Sequence, residues 1–136
     1  MKTRLLLLIC LAFSLVATAR AAEHTDDSLD KVKNNLAQEK AVLIDVRELA
    51  EWKQGHLQQA KLVPLSELKR MAGDAAIKQK LEKDLPKDRI IYCHCASGKR
   101  VLTAAEILRK SGYDIRPLAD GFNNLRKAGF PVAEKP

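Results

Sequence analysis

The stretch YCHCASGKR, residues 92–100, decides the fold of this 136-residue chain. An apolar run, Ile90 to Tyr92, leads into it, and apolar residues at 101, 104, 105 and 108 follow it. That spacing is typical of an amphipathic helix, so the stretch is predicted to be a loop between a buried strand and a helix N-terminus. In parallel α/β sheets, ligands bind at this position, beyond the carboxyl end of a strand.

Cys95 is the candidate nucleophile of this loop. The backbone N–H groups of the residues that follow it, the positive end of the helix dipole and two cations all favour a thiolate over a thiol. The residues expected to form this cradle are Ala96, Ser97, Gly98, Lys99 and Arg100. The alternative is a capping loop whose cysteine is simply a small buried residue. Cys93, which belongs to the apolar strand, is predicted to be buried and inert.

The rest of the chain alternates between strand and helix patterns, which predicts a parallel sheet covered on both faces. Trp52 and Leu62 are expected in the core, and residues 23–27 read as a loose polar segment. Helices are predicted over 28–38, 48–54, from about 66, 74–85, 99–110 and 121–129, and strands over 41–46, 60–63, 89–93 and 113–118.

The N-terminus has the pattern of a cleaved export signal. A cationic start is followed by an apolar run of about 12 residues, too short to span a membrane, and by Ala19-Arg20-Ala21, whose small residues suit a signal peptidase. The predicted divisions are a signal peptide at 1–21, an N-terminal segment and first helix at 22–40, one domain at 41–132, and a tail at 133–136. The location is therefore predicted to be periplasmic or extracellular, without stable membrane insertion.

Removing residues 1–21 changes the charge and the cysteine content. The mature chain loses three of 24 basic residues and none of the 17 acidic ones, so its net charge falls from +7 to +4. Only 4% of residues are aromatic, and no basic stripe interleaves with them, which argues against nucleic-acid binding. Cys10 leaves with the leader, and two cysteines two residues apart cannot staple a fold, so reactivity is the leading reason for their presence.

Three ordered segments resemble the rhodanese-like domain family of sulfurtransferases. The loop with its preceding Tyr92-Cys93 is similar to the family's active-site loop, which has glycine fourth and often arginine last. The other two are Ile44-Asp45-Val46-Arg47-Glu48 with Glu51-Trp52, Gly55-His56-Leu57, Ala60 and Pro64, and Leu118 with Gly121 and Gly129-Phe130-Pro131. The chain departs from the pattern at Ala119-Asp120, at Leu125, where a tryptophan is frequent, and at Cys93-His94.

The resemblance implies a three-layer rhodanese-like α/β fold, with a mostly parallel sheet of four to five strands and helices on both faces. It implies a sulfurtransferase without a cofactor: Cys95 takes sulfur from a donor such as thiosulfate and passes it to cyanide or a thiol. Lys99 and Arg100 would bind the donor. Arg47 would contact the donor or pair with a carboxylate such as Glu48 or Glu51. An exported thiol reductant is a possible partner, since it would keep Cys95 reduced.

Three alternatives compete with this reading. The domain could hold sulfur or a partner without turnover. A phosphatase or arsenate reductase usually has five residues between cysteine and arginine, whereas four separate Cys95 from Arg100. A metal on Cys93, His94 and Cys95 lacks a second ligand cluster to complete a zinc site, so no metal is predicted.

Overall fold

The computed structural model describes residues 21–134, which form six helices and four strands. Each one corresponds to an element that the sequence predicts. The helices are α1 (Leu29–Ala37), α2 (Leu49–Gln54), α3 (Leu65–Arg70), α4 (Ala75–Asp84), α5 (Arg100–Lys110) and α6 (Phe122–Lys127). The strands are β1 (Ala41–Asp45), β2 (Ala60–Leu62), β3 (Ile90–His94) and β4 (Ile115–Pro117).

The four strands form one parallel sheet in the order β2-β1-β3-β4. One apolar cluster packs α3, α4 and α5 against one face, and a second packs α1 and α6 against the other. The centre of the sheet is buried on both sides, which explains the consecutive apolar residues in β1 and β3. The predicted three-layer α/β fold is confirmed.

The carboxyl ends of β1, β3 and β4 place three loops side by side. The N–H of Val46, just after β1, donates to the His94 carbonyl at the end of β3 (3.0 Å). The N–H of Leu118, just after β4, donates to the Cys93 carbonyl (2.9 Å). The chain leaves all three strands at one edge of the sheet, where Cys95 begins its loop.

Three local expectations differ from the structure. Trp52 and Leu62 are half-buried, because Trp52 lies on the surface and stacks on the His56 ring at 3.6 Å and β2 is an edge strand. The segment before α1 is held in place: Ala22 is buried, and the Thr25 N–H donates to the Pro117 carbonyl of edge strand β4 (2.8 Å).

The predicted signal peptide at 1–21 lies, except for Ala21, outside the described residues, as does the end of the predicted tail. Among residues 21–134, no helix is both long and apolar enough to cross a membrane.

Candidate active site

Cys95 is the first residue after β3, and its sulfur lies within the following loop. The Gly98 N–H donates to the Cys95 Sγ over 3.2 Å, and the Phe122 N–H of α6 donates to the Cys95 carbonyl over 2.9 Å. The side chain of Cys95 is completely buried. A sulfur that accepts a hydrogen bond from a backbone amide is stabilised as an anion.

Two glycines allow the loop to pack closely on the segment that follows β4. Gly98 has φ +79°, and a Cβ there would lie 2.3 Å from the Ala119 carbonyl oxygen. A Cβ on Gly121 would lie 1.8 Å from the Ala96 carbonyl oxygen. Only glycine fits at these contacts, so residues 119–121 form the floor on which the Cys95 loop rests.

The rim of the loop is exposed, whereas its interior is not. Ala96, Ser97 and Lys99 are exposed, and Gly98 is buried. Of the predicted cradle residues, Gly98 directs its backbone N–H at the Cys95 sulfur, whereas the Lys99 cation faces solvent at the start of α5.

Arg100 closes the loop by binding Glu51 of α2. Its two terminal nitrogens donate to the two Glu51 carboxylate oxygens, both at 2.8 Å. These hydrogen bonds lower the pKa of Glu51 to about 2 and raise that of Arg100. The nearby Cys95 sulfur makes a smaller contribution than Glu51 to raising the Arg100 pKa.

Arg47 forms a structural ion pair instead of lying at the rim. Its guanidinium donates to both carboxylate oxygens of Asp45 (2.8 to 3.0 Å) and to the Gly55 carbonyl (2.8 Å). The predicted pairing with a carboxylate occurs, although its partner is Asp45 and not Glu48 or Glu51. Arg47 is 5% exposed, so these contacts leave it little access to a donor in solution.

His94 is a buried polar residue directly before Cys95. Its Nδ1 lies 3.2 Å from the Cys95 carbonyl oxygen, and its Nε2 lies 3.6 Å from Asp45 Oδ2, beyond hydrogen-bond distance. Burial lowers the pKa of His94, and Asp45 opposes this only in part because Arg47 already neutralises that carboxylate. His94 is neutral at neutral pH.

Cys93 has the opposite environment to that of a nucleophile. It is completely buried, and burial, followed by the nearby Cys95, raises the pKa of its thiol. The sulfur lies 3.9 Å from the Val101 carbonyl oxygen. Cys93 and Cys95 are both free thiols.

One further contact to the loop was not predicted from the sequence. His24 Nε2 lies 2.6 Å from the Gly98 carbonyl oxygen, across 74 residues of chain. The residue sits in the segment 23–27, which reads as polar and without periodicity. Only information about contacts between residues far apart in the sequence could have identified His24.

A cavity of the described chain lies away from Cys95, and no metal site is formed within residues 21–134. A cavity of about 620 Å³ is lined by the segment before α1 and by β4, and none of residues 95–100 contributes to it. Within residues 21–134, no cluster of three or more histidine, cysteine or acidic side chains is arranged to hold a metal ion.

The family model of the rhodanese-like domain matches residues 28–128. The chain belongs to the rhodanese-like domain family. The match extends from α1 to α6, so it includes the Cys95 loop and the two parts that contact it, α2 and the β4–α6 connection.

Two curated relatives show how this rhodanese-like chain compares in length. It is 37% identical over 84 residues to the uncharacterized protein YqhL of Bacillus subtilis, covering 61% of this chain and 59% of the relative. It is 30% identical over 129 residues to the HTH-type transcriptional regulator Rv0324 of Mycobacterium tuberculosis, covering 91% of this chain and 52% of the relative. The chain thus spans between half and three fifths of the length of these relatives.

A solved structure provides a likeness over nearly a whole protein. The human single-domain sulfurtransferase TSTD1 superposes with a TM-score of 0.63 at 30% identity, covering 74% of this chain and 94% of the human one. The rhodanese-like fold of this chain is therefore matched over nearly the full length of a solved structure.

Proposed function

We propose that this rhodanese-like chain is a sulfurtransferase that moves sulfane sulfur from a donor such as thiosulfate to cyanide or a thiol through a persulfide on Cys95. The observation that carries the proposal is the Gly98 N–H directed at the Cys95 sulfur, 3.2 Å away, at the carboxyl end of β3. Family membership and the likeness to a sulfurtransferase support the same reaction class.

The transfer takes two displacements at sulfur. The Cys95 thiolate attacks the outer sulfur of thiosulfate; a new sulfur–sulfur bond forms, the old one breaks, and sulfite leaves with the electron pair. Cyanide carbon or a thiolate then attacks the outer sulfur of the persulfide. The bond between the Cys95 sulfur and the outer sulfur breaks, thiocyanate or the acceptor persulfide leaves, and the Cys95 thiolate is restored. Both steps are nucleophilic catalysis with an anionic sulfur as the resting form.

The surroundings of Cys95 suit an anion at each stage. The Gly98 amide donates to the sulfur, and Arg100 lies within electrostatic reach of it. Ser97 and the cation of Lys99 are exposed at the rim, where the oxygens of thiosulfate would arrive. Fixed donors of this kind stabilise developing charge without reorganising during the reaction.

Because Cys95 is buried, the rim residues also control access of the donor to its sulfur. Because the Cys95 side chain has no exposed surface, a donor reaches it only when rim residues shift. Ala96 and Ser97 are small and exposed, so we expect the donor to enter on their side of the loop. Arg100, tied to Glu51, would remain in place during this entry.

The test is the intact mass of the protein before and after thiosulfate, and again after cyanide, with Cys95→Ser as control. A gain of one sulfur atom on the wild type alone, removed by cyanide as thiocyanate appears, is the expected result. A folded, reduced wild type that gains no sulfur from thiosulfate or from a persulfide donor would contradict the proposal. Sulfur that is gained but never released would favour a non-catalytic carrier.

We also propose that the chain is exported and cleaved after Ala21. Besides the leader pattern, Ala22 is 8% exposed, and its backbone nitrogen lies 3.5 Å from Glu106 Oε1. Cleavage there would turn this amide into an ammonium facing a carboxylate. Recovery of a protein that begins at Ala22 from the exported fraction is expected; an uncleaved chain retained in the cytoplasm would count against it.

If the chain is exported, we expect an exported thiol reductant to keep Cys95 reduced. The check is thiol titration of protein isolated from its compartment, with and without the reducing system. Full reduction in its absence would contradict this partner.

A further inference from the structure

We propose that His24 is a positioning residue for the Cys95 loop: its imidazole holds the Gly98 carbonyl and so fixes the conformation of Gly98, whose backbone amide faces the Cys95 sulfur. The inference rests on the proposed function for its meaning in sulfur transfer. Its geometry stands independently, on a 2.6 Å contact between His24 Nε2 and the Gly98 oxygen.

The chemistry of the two atoms determines the direction of this hydrogen bond. A carbonyl oxygen only accepts, so Nε2 of His24 carries the proton and donates it. In a trans peptide, the C=O and the following N–H point in opposite directions. Holding the Gly98 carbonyl towards His24 therefore directs the Lys99 N–H to the opposite side of that peptide.

The same contact constrains the donor to the nucleophile. Gly98 has φ +79° and gives its own N–H to the Cys95 Sγ over 3.2 Å. Glycine has no side chain to restrict its backbone, so external contacts must select this conformation from the many that it can adopt. The Ala119 carbonyl blocks one side of Gly98, and His24 binds the carbonyl that leaves the residue.

The segment that carries His24 is anchored on both sides of it. On one side, Ala22 is buried and its N lies 3.5 Å from Glu106 Oε1. On the other, the Thr25 N–H donates to the Pro117 carbonyl over 2.8 Å. His24 itself is exposed, so its side chain contributes little packing to the core. Hydrogen bonding, and not packing, therefore places the His24 side chain against the loop.

Asp27 strengthens this anchoring from the end of the same segment. Its carboxylate accepts from the Tyr92 hydroxyl (2.7 Å), from Arg116 (2.8 Å) and from Lys31 (2.6 Å). Tyr92 is part of β3, the strand that delivers Cys95. The segment before α1 is therefore attached directly to β3, through Asp27 and Tyr92, and to the Cys95 loop, through His24.

The experiment compares His24→Ala, His24→Gln and Asp26→Ala in the full chain. The glutamine amide can still donate to the Gly98 oxygen. Asp26 is exposed in the same segment and has no hydrogen bond or ion pair within residues 21–134, so it is the matched control. Two quantities are measured: the turnover of sulfur transfer at saturating thiosulfate, and the pH at which iodoacetamide modification of Cys95 reaches half its maximal rate, with the site assigned by peptide mass.

His24→Ala is expected to lower turnover by about threefold and to move the alkylation midpoint up by about half a pH unit, the size of one partly exposed hydrogen bond. His24→Gln should recover most of both, and Asp26→Ala should match the wild type. Unchanged behaviour of His24→Ala, or equal losses in His24→Ala and Asp26→Ala, would overturn the inference. A midpoint shift in a protein whose wild type transfers no sulfur would support the positioning role while contradicting the proposed function.

Discussion

Cys93 and Cys95 are two residues apart, yet their surroundings give them different chemistry. Cys93 lies within β3 among apolar side chains, where burial raises its thiol pKa and a thiolate would be unpaired. Cys95 is just as buried, but it receives the Gly98 N–H and lies near the Arg100 guanidinium. We therefore expect the reactivity of Cys95 to depend on hydrogen bonding and charge, not on exposure.

Replacing each cysteine by serine should separate the two roles. Cys95→Ser is expected to abolish sulfur transfer, because a serine hydroxyl is not ionised at neutral pH and forms no persulfide. Cys93→Ser should keep most of the transfer, at a cost of about 1 to 3 kcal/mol in the free energy of unfolding for the buried hydroxyl. Transfer rates per folded protein and denaturant unfolding are the measurements; equal loss of transfer in two folded variants would be inconsistent with Cys95 as sole nucleophile.

At the scale of elements, the Cys95 loop depends on parts that are distant in sequence. The β4–α6 connection supports it from below through Gly121, and α2 holds its far end through the Glu51–Arg100 pair. The segment before α1 contacts it through His24. The β4–α6 connection, α2 and the segment before α1 therefore hold the loop in place. Helix α5 is not counted among them, because it simply follows the loop in the chain.

Gly121→Ala tests the support from below. The new Cβ would overlap the Ala96 carbonyl oxygen at 1.8 Å, and backbone cannot yield as a flexible side chain does, so the loop must move. We expect transfer to fall by at least about tenfold, since a displacement on the order of 1 Å near a reacting group costs up to about a hundredfold. The measurement is turnover together with the melting temperature.

Gly73→Ala is the matched control for this substitution. Its Cβ would meet no atom within 4 Å, and its φ lies outside the positive range. Transfer and melting temperature should therefore stay near those of the wild type. A Gly121→Ala protein that behaves like Gly73→Ala would show that the loop does not rest on residue 121.

At the scale of the whole molecule, the buried, neutral His94 is expected to make stability depend on pH. Asp45 and Arg47 pair beneath the site, and neutral His94 lies beside them without a hydrogen bond to its Nε2. Burial lowers the folded pKa of His94 below its unfolded value of about 6.5. As pH falls below about 6.5, the unfolded chain takes up a proton that the folded protein does not, so stability decreases.

The free energy of unfolding should therefore fall between about pH 6.5 and 5, with a slope of at most about 1.4 kcal/mol per pH unit. The carboxylates of Asp27 and Glu51 have lowered pKa values, so their contribution is lost only below about pH 4.5. His94→Gln, which does not titrate, should flatten the slope in this window. Denaturant unfolding as a function of pH measures it, and an identical slope in wild type and variant would exclude His94 as its origin.

The sequence determined the elements of this protein and the position of its candidate nucleophile, Cys95. Consecutive apolar residues in β1 and β3 can only be buried on both faces, and the cysteine-to-arginine loop follows β3 directly. These are local properties: periodicity, caps and spacing are set by residues close together in the chain. For that reason the strand and helix positions and the loop composition could be predicted.

Only the tertiary structure decided which side chains meet around the loop. Arg47 turned inward to Asp45, Arg100 bound Glu51, and His24 reached Gly98 from a segment with no sequence pattern. Each of these contacts joins charged or polar groups for which the sequence offers several possible partners of similar chemistry. The choice among them depends on distances fixed by packing the sheet and helices together, and a pattern in one dimension carries no such distances.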